Sequence, residues 1–395
     1  MTMRVQISSS SFQPIKAQGT ETLGAPLLSD AGPRAIIGWT PGPLQGAVVP
    51  SAETLFGPRG VCLHPDGTLW VSDTGHHRLL GWRSLPQSDN VACDVLIGQT
   101  DFSREGRNGN ADPGPSSLNV PTGLCAFREG LAVADAWNHR VLIWHQTPQQ
   151  FNQPADIVLG QTEFSSTHAN RGNDRPTAAT LNWPYGIAVV DEHLVVADTG
   201  NRRLLVWRDP HASGQDADLV LGQRDFTTRD ENAGDEVSAL GMRWPHGIAF
   251  WQGHLAVSDA GNNRVMCWVG GLPDENGKAC DFVVGQPTPS SCDHNAASYY
   301  PTSATMNMPY DIAVVGDTLI VTDTANSRLV GFTDAAMGAS AAMLSGQADF
   351  ASKGDNRWGL PERDSVCWPY GLSALDNMVA IADSGNNRVM LWEAA

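Results

Sequence analysis

Aspartate and arginine recur along the chain at a fixed spacing, in the pattern Asp-x-x-(Asn/His)-x-Arg. Six copies of it start at Asp73, Asp135, Asp198, Asp259, Asp323 and Asp383. Six carboxylates and six guanidinium groups resemble a catalytic array. A residue type that occurs at the same position in every copy, however, normally supports the fold of that copy. Buried opposite charges are normally paired with each other. We therefore predict that the Asp and Asn cap backbone N–H groups of a tight turn and that the Arg pairs with an Asp.

A second set of residues differs from copy to copy and forms the candidate functional site. Each copy opens with a Pro-x-Gly start, in which x is Arg59, Thr122, Tyr185, His246, Tyr310 or Tyr370. In the fifth copy Asp311 replaces the Gly. The aromatic and histidine departures nearby are Trp183, Trp244 and Trp368 before the proline, and Trp137, His76 and His77 in the turns. Aromatic walls with a few polar groups are typical of small-ligand sites.

Two interpretations of this set remain open. In the first, the chain binds a partner protein or peptide on its aromatic, loop-covered face, without chemistry. The alternative to any binding role is that the Trp and Tyr side chains only pack the long loops onto the fold. In the second, the chain is an enzyme or small-molecule binder in which His246 and Asp311 are acid/base or metal groups and Arg59 anchors an anion. The absence of a convergent catalytic set favours the first, and the single His and Asp beside several tyrosines favour the second.

The elements that position these residues follow from the period of the repeat. Successive copies of the Asp-x-x-(Asn/His)-x-Arg pattern start at nearly equal intervals along the chain. Each copy predicts four short strands, as at 186–190, 194–198, 203–207 and 218–223, rich in Val, Leu and Ile and bounded by Gly, Asn, Asp or Pro. Four-stranded units repeated around an axis form a β-propeller. We predict an all-β, six-bladed propeller with blades that start near residues 58, 121, 184, 245, 309 and 369.

The chain also contains a segment that would close the ring. The sixth copy stops after its third strand, at 388–392, whereas Arg34-Ala35-Ile36-Ile37-Gly38-Trp39 resembles the fourth strand of the other copies. Pairing these two segments would leave no open sheet edge. We therefore predict that an N-terminal strand completes the last blade, with residues 1–33 as an N-terminal extension and residues 34–395 as the propeller.

The strand order places the turns and the links between blades on one face, which we call the top face. The links (100–120, 162–183, 224–244, 287–308 and 348–368) are long and rich in Asn, Asp, Gly, Ser and Pro. Loops of this length in compact folds usually carry function. The sequence thus predicts that a protein, a peptide or a small molecule binds to the top face, at the mouth of the central channel.

Composition and charge argue against other classes of partner and location. The 395 residues include 42 acidic and 25 basic side chains, a net charge of −17, which opposes a nucleic-acid or anionic membrane surface. The segment from Met1 to Lys16 lacks the apolar core of a secretory signal. Seven scattered cysteines without a CxxC pair favour reduced thiols and a cytoplasmic location. Cys62 and Cys125 occupy an inner-strand position that is Ala or Ser in the other copies, which indicates packing.

The repeat resembles that of the NHL-repeat family of six-bladed propellers, over about residues 34–395. The motifs that carry this resemblance are the Pro-x-Gly-Ile-Ala starts, the Leu-x-Val-x-Asp strands and the Asp-x-x-Asn-x-Arg-Val turns. This family includes lyases, hydrolase-like enzymes and protein- or RNA-binding modules. Its peptidyl-amidoglycolate lyase branch has a zinc-binding His at the Pro-x-Gly position of three blades, whereas His246 alone occupies it here. Because a catalytic zinc needs three protein ligands, we predict no metal, and the sequence identifies no cofactor.

Overall fold

The computed structural model describes residues 23–40 and 48–395. In this part of the chain the strands form six antiparallel four-stranded sheets, one of which gains a short fifth strand. The first strand of every sheet contacts the first strand of the next, and the sixth sheet contacts the first. The chain is therefore an all-β, six-bladed propeller, as its repeat predicts.

Two short strands precede the first blade: β1 (Ala25–Pro26) and β2 (Ala35–Ile37). Blade 1 consists of β3 (Gly60–Leu63), β4 (Leu69–Asp73), β5 (Arg78–Trp82) and β6 (Val95–Ile97). Blade 2 consists of β7 (Pro121–Phe127), β8 (Gly130–Asp135), β9 (Arg140–Trp144) and β10 (Ile157–Leu159). Blade 3 consists of β11 (Pro184–Val190), β12 (His193–Asp198), β13 (Arg203–Trp207) and β14 (Leu219–Leu221).

Blades 4 to 6 repeat this layout. Blade 4 consists of β15 (Pro245–Trp251), β16 (His254–Asp259), β17 (Arg264–Val269) and β18 (Phe282–Val284). Blade 5 consists of β19 (Pro309–Val315), β20 (Thr318–Asp323), β21 (Arg328–Phe332) and β22 (Met343–Ser345). Blade 6 contributes β23 (Pro369–Leu375), β24 (Met378–Asp383) and β25 (Arg388–Glu393).

Short 3-10 helices form the top face. Those between the second and third strands are Thr74–His76, Ala136–Asn138, Thr199–Asn201, Ala260–Asn262, Thr324–Asn326 and Ser384–Asn386. The links contain Arg107–Asn110, Ala169–Gly172, Glu231–Gly234, His294–Ala297 and Asp355–Trp358. No α-helix occurs within residues 23–40 and 48–395, and no helix there is long and apolar enough to cross a membrane.

The repeated Asp and Arg side chains are structural, as predicted, and blade 3 shows the pattern. Asp198 accepts hydrogen bonds from the Asn182 backbone N–H, the Asn201 amide and the Arg203 Nε–H, each 2.7 Å long. The other guanidinium nitrogens of Arg203 donate to three backbone carbonyl groups of the two flanking links. The six Asp and six Arg side chains of the pattern are fully buried. In blades 2 to 5 each pair therefore joins a turn to the links on both sides of it.

A second contact, which the sequence interpretation missed, fixes the links. Asn170 and Asn201 exchange amide hydrogen bonds of 3.0 and 2.8 Å between a link and a turn. The remaining links make equivalent contacts in the Asn108–Asn138, Asn232–Asn262, Asn295–Asn326 and Asn356–Asn386 pairs. The long links are thus anchored at one point each, close to the buried Asp–Arg pair.

The N-terminal strand completes the last blade. β2 pairs antiparallel with β25, with Ile36 opposite Met390, and so becomes the fourth strand of blade 6. Asp89 of blade 1 accepts a hydrogen bond from the Ile36 backbone N–H, and Arg363 forms an ion pair with the same carboxylate. Upstream, β1 pairs parallel with β22 of blade 5. Residues 1–16, for which the sequence predicts no secretory signal, lie outside the described residues.

The core is divided into six apolar clusters, one between each pair of neighbouring blades. The aromatic residue that recurs at the end of each third strand belongs to these clusters and is buried: Trp82, Trp144, Trp207, Trp268, Phe332 and Trp392. Burial of large apolar side chains between sheets stabilises the ring, since the apolar area removed from water is the main favourable contribution to folding.

Candidate functional site

The Pro-x-Gly residues lie where the six innermost strands begin, and five of them meet at the centre of the top face. The ring centroids of Tyr185 and His246 are 4.2 Å apart, those of His246 and Tyr310 are 4.4 Å apart, and those of Tyr310 and Tyr370 are also 4.4 Å apart. The Arg59 guanidinium lies 4.7 Å from the centroid of the Tyr370 ring. We call these five residues the mouth cluster. Side chains from five different blades are thus neighbours.

The mouth cluster narrows the opening: Arg59, Tyr310 and Tyr370 remain partly exposed, and Arg59, Tyr185 and Tyr310 line the upper part of the central cavity. Tyr185 is only 3% exposed and His246 only 1%, although both lie at the end of a strand. Aromatic side chains that project inward from neighbouring blades meet across the narrow ring and pack edge to face. The structure brings these predicted residues together, and a ligand-binding role for them stays a prediction.

His246 is held as a neutral imidazole. Its Nδ1 lies 2.8 Å from the Trp244 carbonyl oxygen and donates a hydrogen bond to it. Burial lowers the pKa of His246 to about 3, because the charged form would lose its hydration. Its Nε2 is buried and has no hydrogen-bond partner in the described chain. An imidazole in this state is a weak base and does not hold a positive charge near neutral pH.

Asp311 lies in the wall of the ring between blades 5 and 6. One carboxylate oxygen accepts the Leu372 backbone N–H at 2.7 Å and the other accepts the Ile312 N–H at 2.9 Å. Burial raises the pKa of Asp311 to about 7 despite these two hydrogen bonds. Within residues 23–40 and 48–395, Asp311 forms no ion pair, and no group of three His, Cys, Asp or Glu side chains could hold a metal ion.

The remaining residues at the ring have supporting contacts. Thr122 is buried and donates a hydrogen bond to the Tyr185 carbonyl oxygen at 3.0 Å. Trp183 contacts the edge of the Tyr185 ring, and Trp368 stacks on Tyr370 with centroids 6.3 Å apart. Trp244 lies below the Arg243 guanidinium. These half-buried tryptophans surround the mouth cluster and connect it to the links, which is the packing role that the sequence left as one alternative.

The turn histidines belong to the scaffold of blade 1 and not to the mouth cluster. His76 is fully buried and takes the place of the turn Asn, with its Nδ1 2.8 Å from Asp73. His77 Nδ1 accepts the Val120 backbone N–H at 3.0 Å. Burial and the nearby Arg107 lower the pKa of His77. Since the other five turns have Asn at the position of His76, the aligned repeats contained the signal for this structural role.

Several aromatic residues of the top face are exposed. Trp137 is 47% exposed in its turn, 5.5 Å from the Arg107 guanidinium. Tyr299 and Trp358 lie in links and are 64% and 69% exposed. The Lys353 ammonium is 3.7 Å from the centroid of the Tyr299 ring. Of these residues, the sequence interpretation singled out Trp137 only, because it compared the turns with one another but not the links.

Below the mouth cluster, the structure contains a central channel of about 400 Å³. The innermost strands line it with the small or apolar side chains that follow the Pro-x-Gly start, including Cys62, Cys125, Ala188, Ala249, Ala313 and Ser373. Val189 and Phe250 are partly exposed at the far end of these strands. The channel therefore extends from the mouth cluster to the opposite face, which we call the bottom face.

Comparison with known proteins identifies the repeat. The sequence model of the NHL repeat matches residues 57–82 and 242–268, which are the first three strands of blade 1 and of blade 4. No curated protein sequence matches the chain.

Among solved structures, virginiamycin B lyase from Staphylococcus aureus is 12% identical over 87% of this chain and 97% of its own, with a TM-score of 0.46. The WD40 β-propeller domain of Doa1 is 9% identical over 94% and 96%, with a TM-score of 0.44. Similarities at this level carry no information about the ligand. The chain is thus a closed ring of six four-stranded blades, two of which match the NHL repeat.

Proposed function

We propose that this propeller is a protein- or peptide-binding module that uses the loop-covered top face. The observation that carries the proposal is the exposure of Trp137, Tyr299 and Trp358 on turns and links where the repeat requires no aromatic residue. Trp and Tyr side chains supply a large contact area and lose little conformational entropy when they are immobilised. They are enriched among the residues that contribute most of the binding energy at protein interfaces. The top face thus carries exposed aromatic side chains of the kind that occur at protein interfaces, on links that the Asn pairs hold in place.

Charge on this face supports a peptide or protein partner over a nucleic acid. The five links contain ten Lys or Arg and fifteen Asp or Glu. Two of the cations, Arg107 and Lys353, lie over exposed aromatic rings, so their charges are already partly engaged. A mixed surface of this kind matches the polar rim and aromatic centre of a protein interface, whereas nucleic-acid surfaces need a continuous excess of positive charge.

The enzyme alternative at the mouth gains no support from the geometry. His246 is buried and neutral, and the two carboxylate oxygens of Asp311 accept backbone N–H groups. A general acid or base must reach the proton that it transfers, and the side chain of His246 is almost fully buried. The binding hypothesis needs none of these groups to be accessible from the top face.

A displayed library of random peptides tests the proposal. Peptides selected on the purified chain should lose at least tenfold in affinity for Trp137→Ala or Trp358→Ala, as expected for aromatic interface residues. The matched control is Val269→Ala, because Val269 is also well exposed but lies at the bottom end of β17. Selection of no peptide, or equal losses in the control, would refute binding by the top face.

A further inference from the structure

The central channel has the size of a small-molecule binding site. Its volume of about 400 Å³ lies within the range of ligand pockets, and Arg59, Tyr185 and Tyr310 of the mouth cluster line its upper end. The exposed Val189 and Phe250 at its lower end favour entry of a ligand from the bottom face. This site is separate from the peptide surface proposed above, which lies on the outer side of the mouth cluster.

The channel wall, as far as the structure describes it, contains two charged residues, Asp311 and Arg59. The Arg59 guanidinium is engaged with the aromatic rings of the mouth cluster, and among the described residues neither side chain forms an ion pair. Asp311 is therefore a carboxylate in an apolar wall without a counter-ion in this part of the chain. Removing a carboxylate from water is unfavourable unless a cation compensates it, so a bound cation would gain from this arrangement.

The chemistry of the wall discriminates between kinds of cation. Calcium and magnesium need about six oxygen ligands, and the described residues contain no group of three acidic, Cys or His side chains around the channel. The wall below Asp311 instead presents apolar side chains such as Leu124, Ile187 and Ile248. Such a wall favours a ligand with an apolar body and a single positively charged nitrogen.

The surroundings of the channel exit favour cations as well. The turns between the first and second strands of the blades surround the exit and carry six acidic residues and one basic residue. The acidic residues are exposed: Asp66, Glu129, Asp191, Glu192, Asp317 and Asp376. A ring of like charge around a cleft raises the local concentration of oppositely charged ligands.

We infer that the central channel binds a small organic ammonium ion with an apolar body, which enters from the bottom face and pairs with Asp311. Protonated alkylamines and arylalkylamines are the ligand class that fits the combination of one carboxylate, apolar walls and an acidic exit. The positive charge of Arg59 lies at the upper end of the channel and limits the depth of entry.

Calorimetric titration with n-hexylammonium and with n-hexanol tests this inference. Both probes have the same chain length, and at pH 8 the amine is protonated while Asp311 is ionised. We expect the wild-type chain to bind the ammonium ion at least tenfold more tightly than the alcohol, in titrations extended to about 20 mM. Asp311→Asn keeps the shape of the side chain and should remove this preference.

A second pair of variants locates the site without touching Asp311. Val189→Lys places a positive charge at the channel exit and should weaken ammonium binding at least tenfold, whereas Val269→Lys adds the same charge to an exposed valine outside the channel and should not. Equal binding of alcohol and ammonium, no binding of either, or equal effects of the two lysines would overturn the inference. Circular dichroism of each variant checks that the propeller is folded.

Discussion

Replacement of a single repeat aspartate should destabilise the whole propeller. In Asp198→Ala, the Arg203 guanidinium stays fully buried and loses its carboxylate, and the Asn182 backbone N–H loses its acceptor. One lost buried hydrogen bond costs about 1–3 kcal/mol, but removal of one partner of a buried ion pair costs about 3–5 kcal/mol. We therefore expect the free energy of unfolding to fall by about 3–5 kcal/mol.

Denaturant unfolding followed by tryptophan fluorescence measures this loss. The control is Asp235→Ala, which removes the exposed ion pair between Asp235 and Arg224 and should cost less than about 1 kcal/mol. Top-face binding by molecules that stay folded should be nearly unchanged, because Asp198 contacts only the scaffold. A loss below about 1 kcal/mol, or a loss of binding at unchanged stability, would show that the repeated aspartates are not structural supports.

Two further predictions concern ring closure and the channel wall. Deletion of residues 1–40 removes β2 and exposes the edge of β25, so it should lower the melting temperature strongly or cause aggregation. Deletion of residues 1–22 leaves both N-terminal strands in place and should do neither. Equal melting temperatures of the two deletion variants would contradict closure by this strand. The pKa of Asp311 is about 7 in the folded chain and 3.8 in its unperturbed state. The wild type should therefore lose up to about 4 kcal/mol of folding stability as the pH rises from about 4 to 7, because the unfolded chain releases this proton first. Melting curves recorded across this pH range should show no such loss in Asp311→Asn.

The fold could be predicted because the same pattern of strands recurs in six copies. A single run of apolar residues does not distinguish a strand from a buried helix, but runs that recur in phase with a turn motif in every copy do. The closing strand was predictable for the same reason, since its sequence resembles a fourth strand that the sixth copy lacks. The Asn pairs between links and turns also recur at a nearly constant spacing, and comparison of the links could have found them.

The candidate site was less predictable because its shape depends on side-chain direction. The sequence placed Tyr185, His246 and Tyr310 correctly around one ring. Whether inward-facing rings leave an opening depends on the radius of the ring and on their rotamers, and neither follows from a repeat pattern. The size of the channel below them was equally unpredictable, although the repeat implied that a channel exists.

Asp311 departs from the repeat at a position where the scaffold has little space for a side chain, which makes it a candidate for function. At the Gly of the other Pro-x-Gly starts, a Cβ atom would meet the next inner strand; at Gly186 it would lie 1.8 Å from the His246 carbonyl oxygen. In blade 5 a whole carboxylate occupies this place and reaches Leu372 across the blade boundary. Glycine would avoid both the crowding and the buried charge, so stability alone does not account for the aspartate. Natural proteins violate such packing rules mainly at functional sites, and a cation in the channel would compensate this one.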